Sequence, residues 1–156
     1  MTDPLQILVD ADACPVKDET YKVALRHDVP VVIVANAYIR IPEHRLLSRK
    51  IVSDGFDAAD DWIAEAADAR TLVITADILL ADRCLKAGAR VIAPNGKPFT
   101  DASIGSAVAV RAIHADLRAG LGDGIQRGPA SFSKSDRSRF LNALDAAIVA
   151  MKKARA

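Results

Sequence analysis

Leu5-Gln6-Ile7-Leu8-Val9 and Val29-Pro30-Val31-Val32-Ile33-Val34-Ala35 are two short, nearly continuous apolar runs, and Pro15 to His27 between them reads as a helix. Runs without polar alternation fit strands covered on both faces, as in a parallel sheet. Proline suits the first helical turn, where its missing N–H would have had no intrahelical partner. Strand, helix, strand is a βαβ unit. The pattern then recurs outward along the chain. Lys50-Ile51-Val52 is a weaker third strand, and Thr71-Leu72-Val73-Ile74-Thr75 and Ala89-Arg90-Val91-Ile92-Ala93 complete the set. Helical spacing runs from Asp57 to Ala67 and from Ile78 to Ala87, with Gly88 as a C-terminal stop. Thr100 caps a helix running towards Leu117, and Ser133 or Ser135 caps one carrying Phe140, Leu141, Leu144, Ile148 and Met151. Gly120 to Gly128, with four glycines, reads as a flexible loop. The expectation is an α/β protein: a doubly wound open parallel sheet of about five strands, Rossmann-like and three-layered, with two C-terminal helices.

Composition agrees. The chain has 156 residues, 51% hydrophobic and 26% charged, with 8 Gly and 7 Pro, which excludes disordered and collagenous classes and suits a single domain over 1–156. No apolar run approaches the roughly 18 residues of a membrane span. No basic region precedes the first apolar run, so a signal peptide is not expected. Two cysteines, Cys14 and Cys84, make no disulfide or metal framework. A reduced, cytoplasmic protein is the expectation.

Net charge is +1, but it is divided. Residues 1–82 carry 8 Lys/Arg against 15 Asp/Glu, giving −7, and residues 83–156 carry 13 against 5, giving +8. Such a division suits a carboxylate-rich site beside a basic surface, or no more than solvated helix faces.

In open α/β sheets, ligands bind outside the carboxyl ends of the strands, where the strand order reverses. Here the strands end in Asp10-Ala11-Asp12, Asn36, Ser53-Asp54, Asp77 and Asn95. Asp77 alone would be a helix cap, and Asp57, Asp60 and Asp61 alone would be favourable first-turn charges. Together they form an acidic edge, with Asp10 and Asp77 central if the first and fourth strands are neighbours. Clustered carboxylates need a cation, and Mg²⁺ or Mn²⁺ suits oxygen donors. Cys14, at a helix N-terminus, would have a lowered thiol pKa there. Trp62 lies beside the acidic pair and reads as packing. Arg40, Arg45, Arg49 and Lys50 follow the second strand, as phosphate contacts or as an exposed basic loop.

Asp10-Ala11-Asp12-Ala13-Cys14-Pro15-Val16 resembles the signature of the YaiI/YqxD family of bacterial proteins. So do Val34-Ala35-Asn36, Gly55-Phe56-Asp57-Ala58-Ala59-Asp60, Ile74-Thr75-Ala76-Asp77 and the segment Ser133 to Asp145. The chain departs from that family at Leu79, where proline is usual, and at Arg127-Gly128-Pro129, where Gly-Gly-Pro is usual. The family in turn is similar to PIN-like and NYN nuclease domains, whose acids hold divalent metal and cleave RNA.

That resemblance implies a PIN-like domain and a metal-dependent ribonuclease. Asp10, Asp61 and Asp77 would be catalytic, and Asp10, Asp12, Asp60, Asp61, Asp77 and Asp82 would bind Mg²⁺ or Mn²⁺. Asn36 and Asn95 at the strand ends, with Arg127, Lys134 and Arg137 from the basic half, are the expected substrate contacts. RNA is the expected partner, with no membrane association. Two alternatives stand beside it. One is a non-catalytic metal- or RNA-binding module. The other is a haloacid-dehalogenase-type phosphatase with Asp10 as nucleophile and Asp12 as acid/base.

Overall fold

A computed structural model describes residues 4–11, 14–52, 58–105 and 133–155. The elements in chain order are β1 (Gln6–Asp10), α1 (Lys17–Arg26), β2 (Val31–Ala35), β3 (Leu47–Ile51), α2 (Ala58–Ala66), β4 (Thr71–Ile74), α3 (Ile78–Lys86), β5 (Arg90–Ile92), β6 (Pro98–Phe99), α4 (residues 101–105) and α5 (Lys134–Arg155). The sheet order is β3-β2-β1-β4-β5-β6. Every pairing is parallel except β5 with β6.

Alternation along the central strands divides the core into two layers. Ile7, Val9, Val31, Ile33, Leu72, Ile74 and Ile92 pack with Tyr21, Val23 and Ala24 of α1 and with Phe140, Leu144, Ile148 and Met151 of α5. Leu8, Val34, Val73 and Val91 turn the other way, onto Ala59 and Ile63 of α2 and Leu80, Ala81 and Cys84 of α3. Both faces of the sheet are thereby covered, as the unbroken apolar runs require.

Capping sets the helix starts. Ser133, not Ser135, caps α5: its Oγ accepts from the Asp136 amide at 3.1 Å, while Asp136 Oδ2 accepts from the Ser133 amide at 3.0 Å. The Thr100 hydroxyl accepts from the Ser103 amide at 3.1 Å at the start of α4. The continuation of that helix towards Leu117 and the glycine-rich stretch Gly120 to Gly128 lie outside the described residues.

Two strands differ from expectation. β3 starts at Leu47 rather than Lys50, because an edge strand buries little. Of its five residues only Leu47 is buried, so no apolar run marks it. β6 makes a sixth, antiparallel strand where none was expected. Its two residues are held by a tight turn in which the Gly96 amide donates to Ala93 and the Ala93 amide to Lys97.

Candidate functional site

β1 is followed in the chain by β2 on one side of the sheet, and the chain crosses to β4 on the other. The strand order therefore reverses between β1 and β4, and the carboxyl ends of those two strands frame a crevice. Asp10 ends β1 and is 8% exposed, a buried carboxylate. Thr75 follows Ile74, the register partner of Val9, and so stands across from Asp10. Its hydroxyl donates to Asp10 Oδ2 at 2.9 Å and accepts from the Asp77 amide at 3.0 Å. Asp10, Thr75 and Asp77 are thus joined through one hydroxyl.

Asp77 caps α3. Its Oδ1 accepts from the amides of Leu79 at 2.9 Å and Leu80 at 3.2 Å, which satisfies two otherwise orphan donors. The capping role and the strand-end placement hold together, because the same short turn serves both. Asn36 sits one residue beyond β2, two after Val34, which is the register partner of Asp10. Its Oδ1 is buried and has no hydrogen-bond partner. An unsatisfied buried acceptor costs about 1–3 kcal/mol, and functional sites are where such costs persist.

Asp60, on the first turn of α2, is half-buried. It reaches the same region electrostatically: burial pushes the Cys84 thiol up to about 11, opposed by Arg83 and reinforced by the charges of Asp60 and Asp10. Asp61, its neighbour, is turned outward and pairs with Arg83 at 3.0 Å. Asp82 pairs along α3 with Lys86 at 2.9 Å. Asn95 is used by the β5–β6 turn, where its Oδ1 accepts from the Lys97 amide at 3.0 Å. Asp12 and Arg127 lie outside the described residues.

Among the described residues, no three His, Cys, Asp or Glu side chains cluster so as to hold a metal ion. The oxygen donors at these strand ends are instead mixed: the Asp10 carboxylate bonded to the Thr75 hydroxyl, the Asp77 carboxylate two residues further on, and the Asn36 amide oxygen two residues past the register partner of Asp10. Such a set fits Mg²⁺, which keeps several waters and takes only one or two protein carboxylates.

Of the expected C-terminal contacts, Lys134 and Arg137 lie among the described residues. Arg137 donates to the Pro15 carbonyl at 2.8 Å and to Glu19 Oε2 at 3.0 Å, tying α5 to the start of α1. Lys134 is exposed beside a shallow groove shared with Asp18, Glu19 and Lys22. At Cys14 the lowering of the thiol pKa expected of a helix N-terminus is not found. Burial raises its pKa and outweighs the lowering by the Val16 amide and Lys17. Trp62 packs against the α2/α3 core, as its packing reading expects.

Sequence reasoning passed over Thr75 as a site residue. The signal was present, since a threonine at the end of an otherwise aliphatic strand stands beside a strand-end aspartate. It also passed over Tyr38, whose ring is 72% exposed and lies under the Arg49 guanidinium at 4.6 Å.

Fold and site together define an open α/β protein with a polar crevice at its topological switch point. A family model described as "Uncharacterized BCR, YaiI/YqxD family" matches residues 8–150, and the chain belongs to that family. Among its relatives, a UPF0178 protein of Sphingopyxis alaskensis is 68% identical over 147 residues, 94% of this chain and 95% of its own. A UPF0178 protein of Rhodopseudomonas palustris is 59% identical over 157 residues, 100% of this chain and 98% of its own. No solved structure matches the chain. No helix among the described residues is long and apolar enough to cross a membrane.

Proposed function

We propose that the protein is a divalent-metal-dependent ribonuclease, hydrolysing phosphodiesters in the crevice between β1 and β4. One observation carries the reading: a buried Asp10 carboxylate at the switch point, with an Asn36 oxygen that no hydrogen bond satisfies two residues past its register partner Val34. A bound Mg²⁺ or Mn²⁺ would supply charge neutralisation at the scissile phosphate and a more acidic water. The chain's own residues do the rest. Asp10 would hold the ion, and the Thr75 hydroxyl fixes the orientation of that carboxylate. Asp77 offers its carboxylate while its Oδ1 stays anchored on the α3 amides. Asn36 supplies a neutral oxygen to the ion or to a water it holds. Asp60 is the better placed of the acidic pair, because its charge acts on the Cys84 thiol together with that of Asp10.

The test is cleavage of single-stranded RNA by the purified protein with Mn²⁺. Cleavage that is lost in Asp10→Asn supports the reading. Cleavage surviving intact in that variant, or none by the wild type, overturns it. Turnover of a small phosphomonoester instead would favour a phosphatase, and tight RNA binding without turnover a non-catalytic module.

A further inference from the structure

We propose that the β3 edge of the sheet, with the crossover leading into it, is a docking surface for single-stranded nucleic acid. The proposal deepens the hydrolysis reading and rests on it for the choice of ligand, but its own observations are separate. Residues 1–82 hold only 8 cations in a segment of charge −7, yet Arg40, Arg45, Arg49 and Lys50 fall within eleven consecutive residues, with Glu43 the one acid among them. All four are exposed. Arg45 is loosely tied to Asp28 at 3.7 Å, whereas no described carboxylate forms an ion pair with Arg40, Arg49 or Lys50. Arg49 and Lys50 alternate to opposite faces of β3, so these cations line both sides of the sheet edge.

Its place in the sheet connects it to the crevice. Asp10 is in register with Val34, and Val34 with Lys50. Register partners in a parallel sheet point to the same face, so Lys50 stands on the face of Asp10 two strands away, roughly 10 Å. Lys50 also stands on the sheet edge, because β3 pairs only with β2. A backbone phosphate held there leaves the neighbouring nucleotides able to reach the end of β1.

Tyr38 decides the kind of partner. It lies two residues beyond Asn36, it is 72% exposed, and Arg49 stacks on it at 4.6 Å. An exposed aromatic amid cations matches the stacking platform of single-strand binders, where bases lie on rings and cations follow the backbone. Reading a duplex through its major groove takes a helix or a two-stranded ribbon that enters it. The crossover of residues 36–46 and the strand β3 present neither. An acidic peptide would need the charge but would have no use for the ring.

The experiment measures binding of a fluorescein-labelled oligouridylate to the full chain in EDTA, where metal-dependent cleavage is silent, across a salt series. Each phosphate contact contributes about 0.7 to the slope of log K against log salt, so Arg49→Gln with Lys50→Gln should weaken binding and flatten the slope by about 1.4. Tyr38→Ala should lose about tenfold in affinity with the slope unchanged, and Tyr38→Phe should restore it. The surface reading is overturned if the wild type does not bind or if these variants bind like the wild type. It is also overturned if polyglutamate displaces the oligonucleotide equally well while Tyr38→Ala has no effect. Binding without cleavage under any metal counts against hydrolysis alone, and cleavage with unchanged KM in the β3 variants counts against the surface alone.

Discussion

Asp77 serves as helix cap and as candidate ligand, and two substitutions separate the roles. Asp77→Ala should cost about 1 kcal/mol through the lost cap, read as a lower urea midpoint, and should also abolish cleavage. Asp77→Ser keeps a capping oxygen, so stability should return while activity does not. Recovery of both would leave Asp77 a cap only. At residue scale the acids at the strand ends were legible, because an aspartate directly after an aliphatic run marks the point where a buried strand emerges at the sheet edge. Their partners were not. Nothing near Asp61 in sequence reveals that Arg83, on the next helix, holds it. Nothing near Cys14 reveals that burial overrides its helix terminus. Cys84 gives a pH test. Its thiol is raised from 9.0 to about 11, so the folded state holds the proton more tightly than the unfolded state. Stability is therefore full below pH 9 and declines as pH rises towards 11, by about 3 kcal/mol over the two units. Urea unfolding from pH 8 to 10.5 should show that decline, and Cys84→Ala should show a shallower one.

Among elements, the central strands and the first three helices are legible because each is buried on both faces or along one stripe and so carries its own apolar pattern. The elements at the margins follow long-range contacts instead. β3 is polar because it is an edge, and β6 exists because Gly96 lets the chain turn back sharply. Gly96 has φ +89°, and a Cβ there would meet the backbone of Arg139 in α5 at 2.8 Å. That close approach joins two segments more than forty residues apart, and no local pattern announces it. Gly96→Ala should therefore destabilise by more than about 1 kcal/mol, combining an unfavourable left-handed φ with a clash against helix backbone. A melting temperature equal to wild type would show that α5 moves freely at that point. The same helix lies alongside α1, held by Arg137 to Glu19 near one end and by His27 to Asp145 at 2.6 Å near the other. Sequence placed α5 in the core through its apolar stripe but could not assign its neighbour. Hence Arg137, free in the sequence to contact a phosphate, is found engaged in holding the two helices together.

At the scale of the whole molecule, the decisive fact is one of order. β1 and β4 lie side by side, which joins residues 65 apart into one hydrogen-bonded crevice. Alternating strands and helices made that neighbourhood a conditional expectation, and the sheet order satisfies the condition. Charge then yields the last prediction. Asp10 is buried, and it and Asp60 both raise the same thiol, so their negative potentials overlap. A cation binding there would be taken up by the folded chain alone, since the unfolded chain does not bring β1 beside β4. Binding restricted to the folded state stabilises by mass action, by about 2.7 kcal/mol when the ligand is about 100 times its Kd. Mn²⁺ should accordingly raise the wild-type melting temperature in proportion to the logarithm of its concentration. Asp10→Asn should show no such rise. An equal metal-induced shift in both proteins would remove Asp10 from the binding site, and with it the reason for placing hydrolysis at the end of β1.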